Sequence, residues 1–67
     1  MPIFNTREEA FTFAWSLARS SESRESYSVS RRLHKGVVTY HVYHAAIIHR
    51  PCQFERMGHE FLGIASP

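Results

Sequence analysis

The stretch Tyr27-Ser28-Val29-Ser30-Arg31-Arg32-Leu33-His34-Lys35-Gly36-Val37-Val38-Thr39-Tyr40-His41-Val42-Tyr43-His44 decides the fold. Its first half alternates: Tyr27, Val29, Arg31 and Leu33 interleave with Ser28, Ser30 and Arg32. A period of two is the mark of a strand, because successive side chains leave opposite faces of a pleated backbone. His34-Lys35-Gly36 then reads as a turn, with Gly36 free to take positive φ. Val37 to His44 is rich in β-branched and aromatic residues and reads as the returning strand. Val38, Tyr40 and Val42 are expected to face a core, and Thr39, His41 and Tyr43 to face outward.

N-terminal to this hairpin the period changes. Thr6-Arg7-Glu8-Glu9 has the form of a capping box, and both glutamates sit where a helix dipole favours them. Ala10, Phe11, Phe13, Ala14, Trp15, Leu17 and Ala18 follow on one broad arc, with Glu8, Thr12, Ser16 and Arg19 opposite. This spacing predicts a helix over about 6–20. The serine-rich run from Ser20 to Ser26 reads as a loop.

C-terminal to the hairpin, Arg50-Pro51 marks a break. Cys52 to Met57 and Phe61 to Ala65 flank Met57-Gly58-His59-Glu60, which reads as a turn, so a second hairpin is expected. Ile3-Phe4 could add a short edge strand. The expected fold is α+β: one N-terminal helix packed on a small antiparallel sheet of three to four strands, with two hairpins, in one compact domain over 1–67. A lone helix covers one sheet face, so the other is expected to present Ser, Arg, Thr, His and Tyr outward as a docking surface.

Length and composition narrow the function. A chain of 67 residues buries only about 60% of its unfolded surface. A pocket, its supporting shell and a core beneath both rarely fit in that size, so no enzymatic activity is expected. Aromatics at 13% of the chain argue against disorder. The single cysteine, Cys52, excludes an intrachain disulfide, and the N-terminus lacks the pattern of a signal peptide. No apolar run approaches the ~20 residues that span a membrane. A cytoplasmic location without membrane partners is the expectation.

Three constellations merit weighing. His41-x2-His44-x4-His49-x2-Cys52 uses ligand types zinc accepts, but two residues three apart on a strand point to opposite faces. Cys52 with a nearby histidine could form a nucleophilic dyad, but no oxyanion loop surrounds it, and a buried structural thiol is the simpler reading. Neither a metal nor a cofactor is expected. Arg31-Arg32-x-His34-Lys35 at the hairpin end is the most useful cluster, since Arg and Tyr anchor interfaces. Arg31, Arg32, Lys35 and Tyr43 are the expected contact residues, with Arg50 next. The same groups could hold phosphates and stack on unpaired bases. Against that, the six glutamates are read as spread among the arginines, unlike a dedicated basic stripe.

In size and architecture the chain is similar to many small phage- or plasmid-encoded proteins, anti-CRISPR inhibitors among them. The likeness lies in format and not in a motif. It implies an inhibitor that occludes a surface of a larger protein or nucleoprotein partner. A small nucleic-acid-binding module is the alternative expectation, and a homo-oligomeric accessory paired through strand edges is a third.

Overall fold

The computed structural model describes all residues except 1–2, 21, 23 and 46–50, and the side chains of Pro51 and Gln53. Six elements follow in order: β1 (Ile3–Phe4), α1 (Arg7–Ser20), β2 (Tyr27–His34), β3 (Val37–His44), α2 (Pro51–Arg56) and β4 (Glu60–Ala65). The strands form one antiparallel sheet in the order β1-β3-β2-β4. The α+β expectation holds, with four strands and an N-terminal helix.

The start of α1 follows from its cap. The Glu9 amide donates to Thr6 Oγ1 at 3.2 Å, and the Thr6 hydroxyl donates to the Glu9 carboxylate at 3.0 Å. The box therefore closes side chain to side chain. Ala10, Ala14 and Ala18 form a stripe along the buried face of α1, each with no exposure. Residues four apart share a helix face, and their small size lets the helix backbone approach the sheet. Val29, Val42 and Ala65 meet the stripe from β2, β3 and β4, while Phe4, Phe11, Phe13, Tyr27, Tyr40 and Leu62 close its margins. Trp15 stays partly exposed, with the Arg19 guanidinium 5.7 Å from its ring centre.

The hairpin turn is Lys35-Gly36, with φ of 51° and 77°. Positive φ at both central residues is the backbone that a two-residue hairpin requires, and glycine adopts it without steric cost. Register is then set: Leu33 pairs with Val38, Arg31 with Tyr40 and Val29 with Val42.

The second hairpin is not formed. Pro51–Arg56 is a helix and not a strand, and β4 pairs with β2. Proline at the first helical position starts α2, since its missing N–H would be unbonded there anyway. Gly58, with φ of 76°, ends it. The Gly58 amide donates to the Glu55 carbonyl at 3.1 Å and the His59 amide to the Phe54 carbonyl at 2.8 Å. That pair of bonds is a Schellman motif, which closes a helix around a left-handed residue. Gly58 thus turns the chain, but as a helix stop.

The face away from α1 is consequently not open. Phe54 of α2 is fully buried, as are Ser28 and Ser30, and only 7% of His41 and of His59 is exposed. Val38, expected in the core, is exposed instead, because it lies beyond the end of the helical cover.

Candidate interaction surface

Two places gather polar chemistry. One is the layer under α2. His59 Nδ1 and Ser30 Oγ share a hydrogen bond of 3.0 Å, and His41 Nε2 and Thr39 Oγ1 share one of 2.8 Å. The His41 and His59 rings meet edge to face at 4.7 Å, and Tyr43 packs on both, on Phe54 at 5.7 Å as well. Phe61 closes the layer against Phe54 at 5.5 Å. Burial holds both imidazoles below their ordinary pKa, and for His41 the neighbouring His59 adds to this. The Arg32 guanidinium acts on both in the same direction. Burial raises the Tyr43 hydroxyl, with Arg32 opposing. The arrangement keeps two neutral histidines interlocked. Its serine is sealed from solvent, so it offers no nucleophile to a substrate.

The second place is the end of the β2–β3 hairpin. β1 pairs only with Tyr40 and His41, and β4 pairs with β2 only from Tyr27 to Arg31. Among the described residues, Arg32 to Thr39 are therefore bonded within the sheet only to each other. Three residues per strand beyond the neighbouring strands make a two-stranded finger about 10 Å long. It lies in a molecule whose longest extent is 38 Å against 23 and 16 Å in the other directions. Leu33 and Val38 face each other on the α1 side of the finger, while His34, Val37, Arg32 and Thr39 share the other. Leu33 is 68% exposed and Val37 59%. Large aliphatic side chains so open to water cost solvation that a partner would relieve.

The expected contact residues separate accordingly. Arg32 and Lys35 sit on the finger, exposed. Arg31 lies at its base on the α1 side, its guanidinium paired with Glu60. Tyr43 is half-buried in the layer under α2, well back from the finger. Arg50 falls outside the described residues. His41, expected to face outward, is buried for the reason Tyr43 is: α2 covers that side.

The structure does not bring together His41 and His44 of the zinc constellation. His41 lies under α2, whereas His44 is on the α1 side, bonded to Glu25 at 2.6 Å. Among the described residues no three His, Cys, Asp or Glu groups come together as metal ligands. His49 lies outside them. Cys52 is exposed on α2 and not the buried thiol expected. An open groove of about 670 Å³ runs along α1, lined by Phe4, Thr6, Glu8, Glu9, Thr12, Phe13 and Ser16. Neither His41 nor His44 lines it.

The apolar members of the finger, Leu33, Val37 and Val38, are the site residues that the pattern of charges alone does not reveal. The signal for them is positional: apolar residues flanking a tight turn cannot reach a core that ends two residues earlier. The charge reading also needs correction. No carboxylate occurs between Glu25 and Glu55, a stretch that holds Arg31, Arg32, Lys35 and Arg50. All six glutamates lie outside it, with the other four arginines. The stretch that includes the finger is thus net positive and the rest of the chain net negative.

No family model matches this chain, and neither a curated protein nor a solved structure resembling it is found. Among the described residues no helix is long and apolar enough to cross a membrane.

Proposed function

We propose that this chain is a small non-catalytic binding module that docks its β2–β3 finger into a larger protein and occludes the surface it covers, as an inhibitor does. The supporting observation is the finger itself. Exposed Leu33 and Val38 make its α1 side apolar, Val37 adds an exposed apolar group to the other side, and Arg32, His34 and Lys35 give it a basic margin. Interfaces have this anatomy, with apolar anchors inside a polar rim. The matching partner surface is an apolar cleft edged by carboxylates. A short, tightly turned hairpin also loses little freedom on docking, which favours affinity.

A second reading has its own observation. The stretch without carboxylates makes the finger wholly basic, and a two-stranded ribbon fits the major groove of a DNA duplex. Leu33 and Val37 favour protein, since phosphates and base edges offer them few apolar partners.

The test is affinity capture from a lysate of the native host, with and without nuclease. Wild type is compared with Leu33→Ser/Val37→Ser and with Arg32→Glu/Lys35→Glu. All four positions are exposed, so both variants should keep the wild-type circular dichroism. The proposal expects a partner that survives nuclease, is lost with the serine pair and is weakened by charge reversal. A partner that survives both variants refutes the finger. One that vanishes with nuclease, and whose binding falls steeply with salt, establishes the second reading instead.

A further inference from the structure

The two edges of the sheet differ. On one side β1 is two residues long. On the other β4 runs for six residues, and among the described residues no strand pairs with its outer side. The outer β4 residues are Glu60-Phe61-Leu62-Gly63-Ile64-Ala65. Natural sheets protect such an edge with lysine, with proline inside the strand, with a bulge, or with cover, and of these β4 has the bulge alone. β4 contains neither lysine nor proline, and its one charge, Glu60, is occupied by Arg31.

The bulge in β4 orders its side chains. The register with β2 slips between Val29 and Ser30, so that Val29 pairs with Gly63 but Ser30 with Phe61, and Leu62 is the extra residue. An inserted residue reverses the alternation that follows it. Leu62 packs on the α1 core, and a Cβ at Gly63 would touch the Phe11 ring at 3.4 Å, so both lie on the α1 side. Ala65 is buried on that side too, and Glu60 reaches Arg31 there. Phe61 contacts Phe54 on the other side, and Ile64, between Gly63 and Ala65, points the same way with 44% exposure. From Glu60 to Ala65 the faces read α1, other, α1, α1, other, α1. The pattern is the same in both directions.

We infer that β4 is a self-association edge, taking β4 of a second copy of this chain in antiparallel register about a two-fold axis between Leu62 and Gly63. An isologous contact requires a patch complementary to itself, and the symmetric face pattern supplies one. In this register Phe61 lies opposite Ile64 of the second copy, and Ile64 opposite its Phe61, on a shared face. Leu62 meets Gly63 across the axis, and Glu60 meets Ala65, so no like charges are opposed. A strictly alternating strand of six residues could not do this, because its positions two and five would lie on opposite faces. The pairing joins two four-stranded sheets into one of eight and covers Ile64. It also adds buried surface to a domain too small to hold much of its own, a common remedy at this size. The finger is built from the other end of the β2–β3 hairpin and does not take part.

The test is sedimentation equilibrium on the purified chain from micromolar to millimolar concentration, beside Ile64→Lys. The lysine blunts the edge at an exposed position and should leave circular dichroism unchanged. A concentration-dependent dimer is expected for wild type, with its dissociation constant raised at least tenfold in the variant. Mixed labelled and unlabelled protein should then show intermolecular nuclear Overhauser effects between the Phe61 ring and the Ile64 methyls. A wild type that stays monomeric throughout overturns the proposal. So does a dimer indifferent to Ile64→Lys, or one whose intermolecular effects arise from Leu33 and Val37.

Discussion

The two faces of one sheet are covered in different ways. On the α1 side the contact is aliphatic and close: three alanines in line against Val29, Val42 and Ala65, with aromatics at the margin. Under α2 it is polar and aromatic: two serines, two histidines and Tyr43 beneath a single buried phenylalanine. Fourteen helical residues cover the first face and six the second. A long helix can rely on many small contacts. A short one depends on one large anchor and on hydrogen bonds that burial makes obligatory.

The largest effect should come from removing that anchor. Phe54→Ala is expected to cost about 3–5 kcal/mol, the usual loss for a buried phenylalanine. Loss of α2 alone would lower amide protection at Met57, Gly58 and His59, which bond back to α2, and around Ser30, and leave α1 protected. Hydrogen exchange separates this from global unfolding. Equal loss of protection in both helices would show that the faces form a single cooperative unit.

Acid offers a gentler way to separate them. His41 and His59 are held neutral by burial, so the folded state binds fewer protons than the unfolded one, whose histidines titrate near 6.5. Depressed folded-state values mean that stability is full above about pH 6.5 and falls as the pH drops through that value toward them. Denaturant midpoints measured between pH 8 and pH 5 should show this decline. His59→Gln retains a polar partner for Ser30 but removes one titration, and should flatten the curve. An unchanged slope would mean that the histidines are free to charge where they sit.

The smallest effect belongs to the α1 side. Arg31 and Glu60 are both well exposed, and a pair open to water contributes about 0–1 kcal/mol. Arg31→Ala should shift the thermal midpoint by only a few degrees, and less as salt is added. A larger loss would show that the pair holds β4 to β2.

The same contrast explains what the sequence disclosed. α1 and the hairpin were legible because each repeats a period over many residues: the alanine stripe with its Thr6 cap, and the alternation of β2 around Lys35-Gly36. α2 was not, because six residues are too few to show a period, and Cys52 to Met57 suits strand or helix by composition. Its two ends held the signal, with Pro51 suited to a first turn and Gly58 to a stop. A hairpin turn at Gly58 would leave the polar face open. The serines and histidines there look like surface residues, and only the placement of Phe54 shows that they are covered. The finger was legible as a basic tip, but its apolar part required knowing where the neighbouring strands end.

The strand order also has a consequence for how the chain is made. β2 is central, yet the strand that completes its second side begins only at Glu60, well after β3 ends at His44. The hairpin, closed by a two-residue turn, forms within microseconds and then waits with one flank of β2 bare. At ribosomal speed that wait lasts seconds, long enough for a sticky flank to capture another nascent chain. β2 is suited to the interval. Ser28, Ser30, Arg31 and Arg32 make it a poor template for aggregation until β4 arrives to claim it.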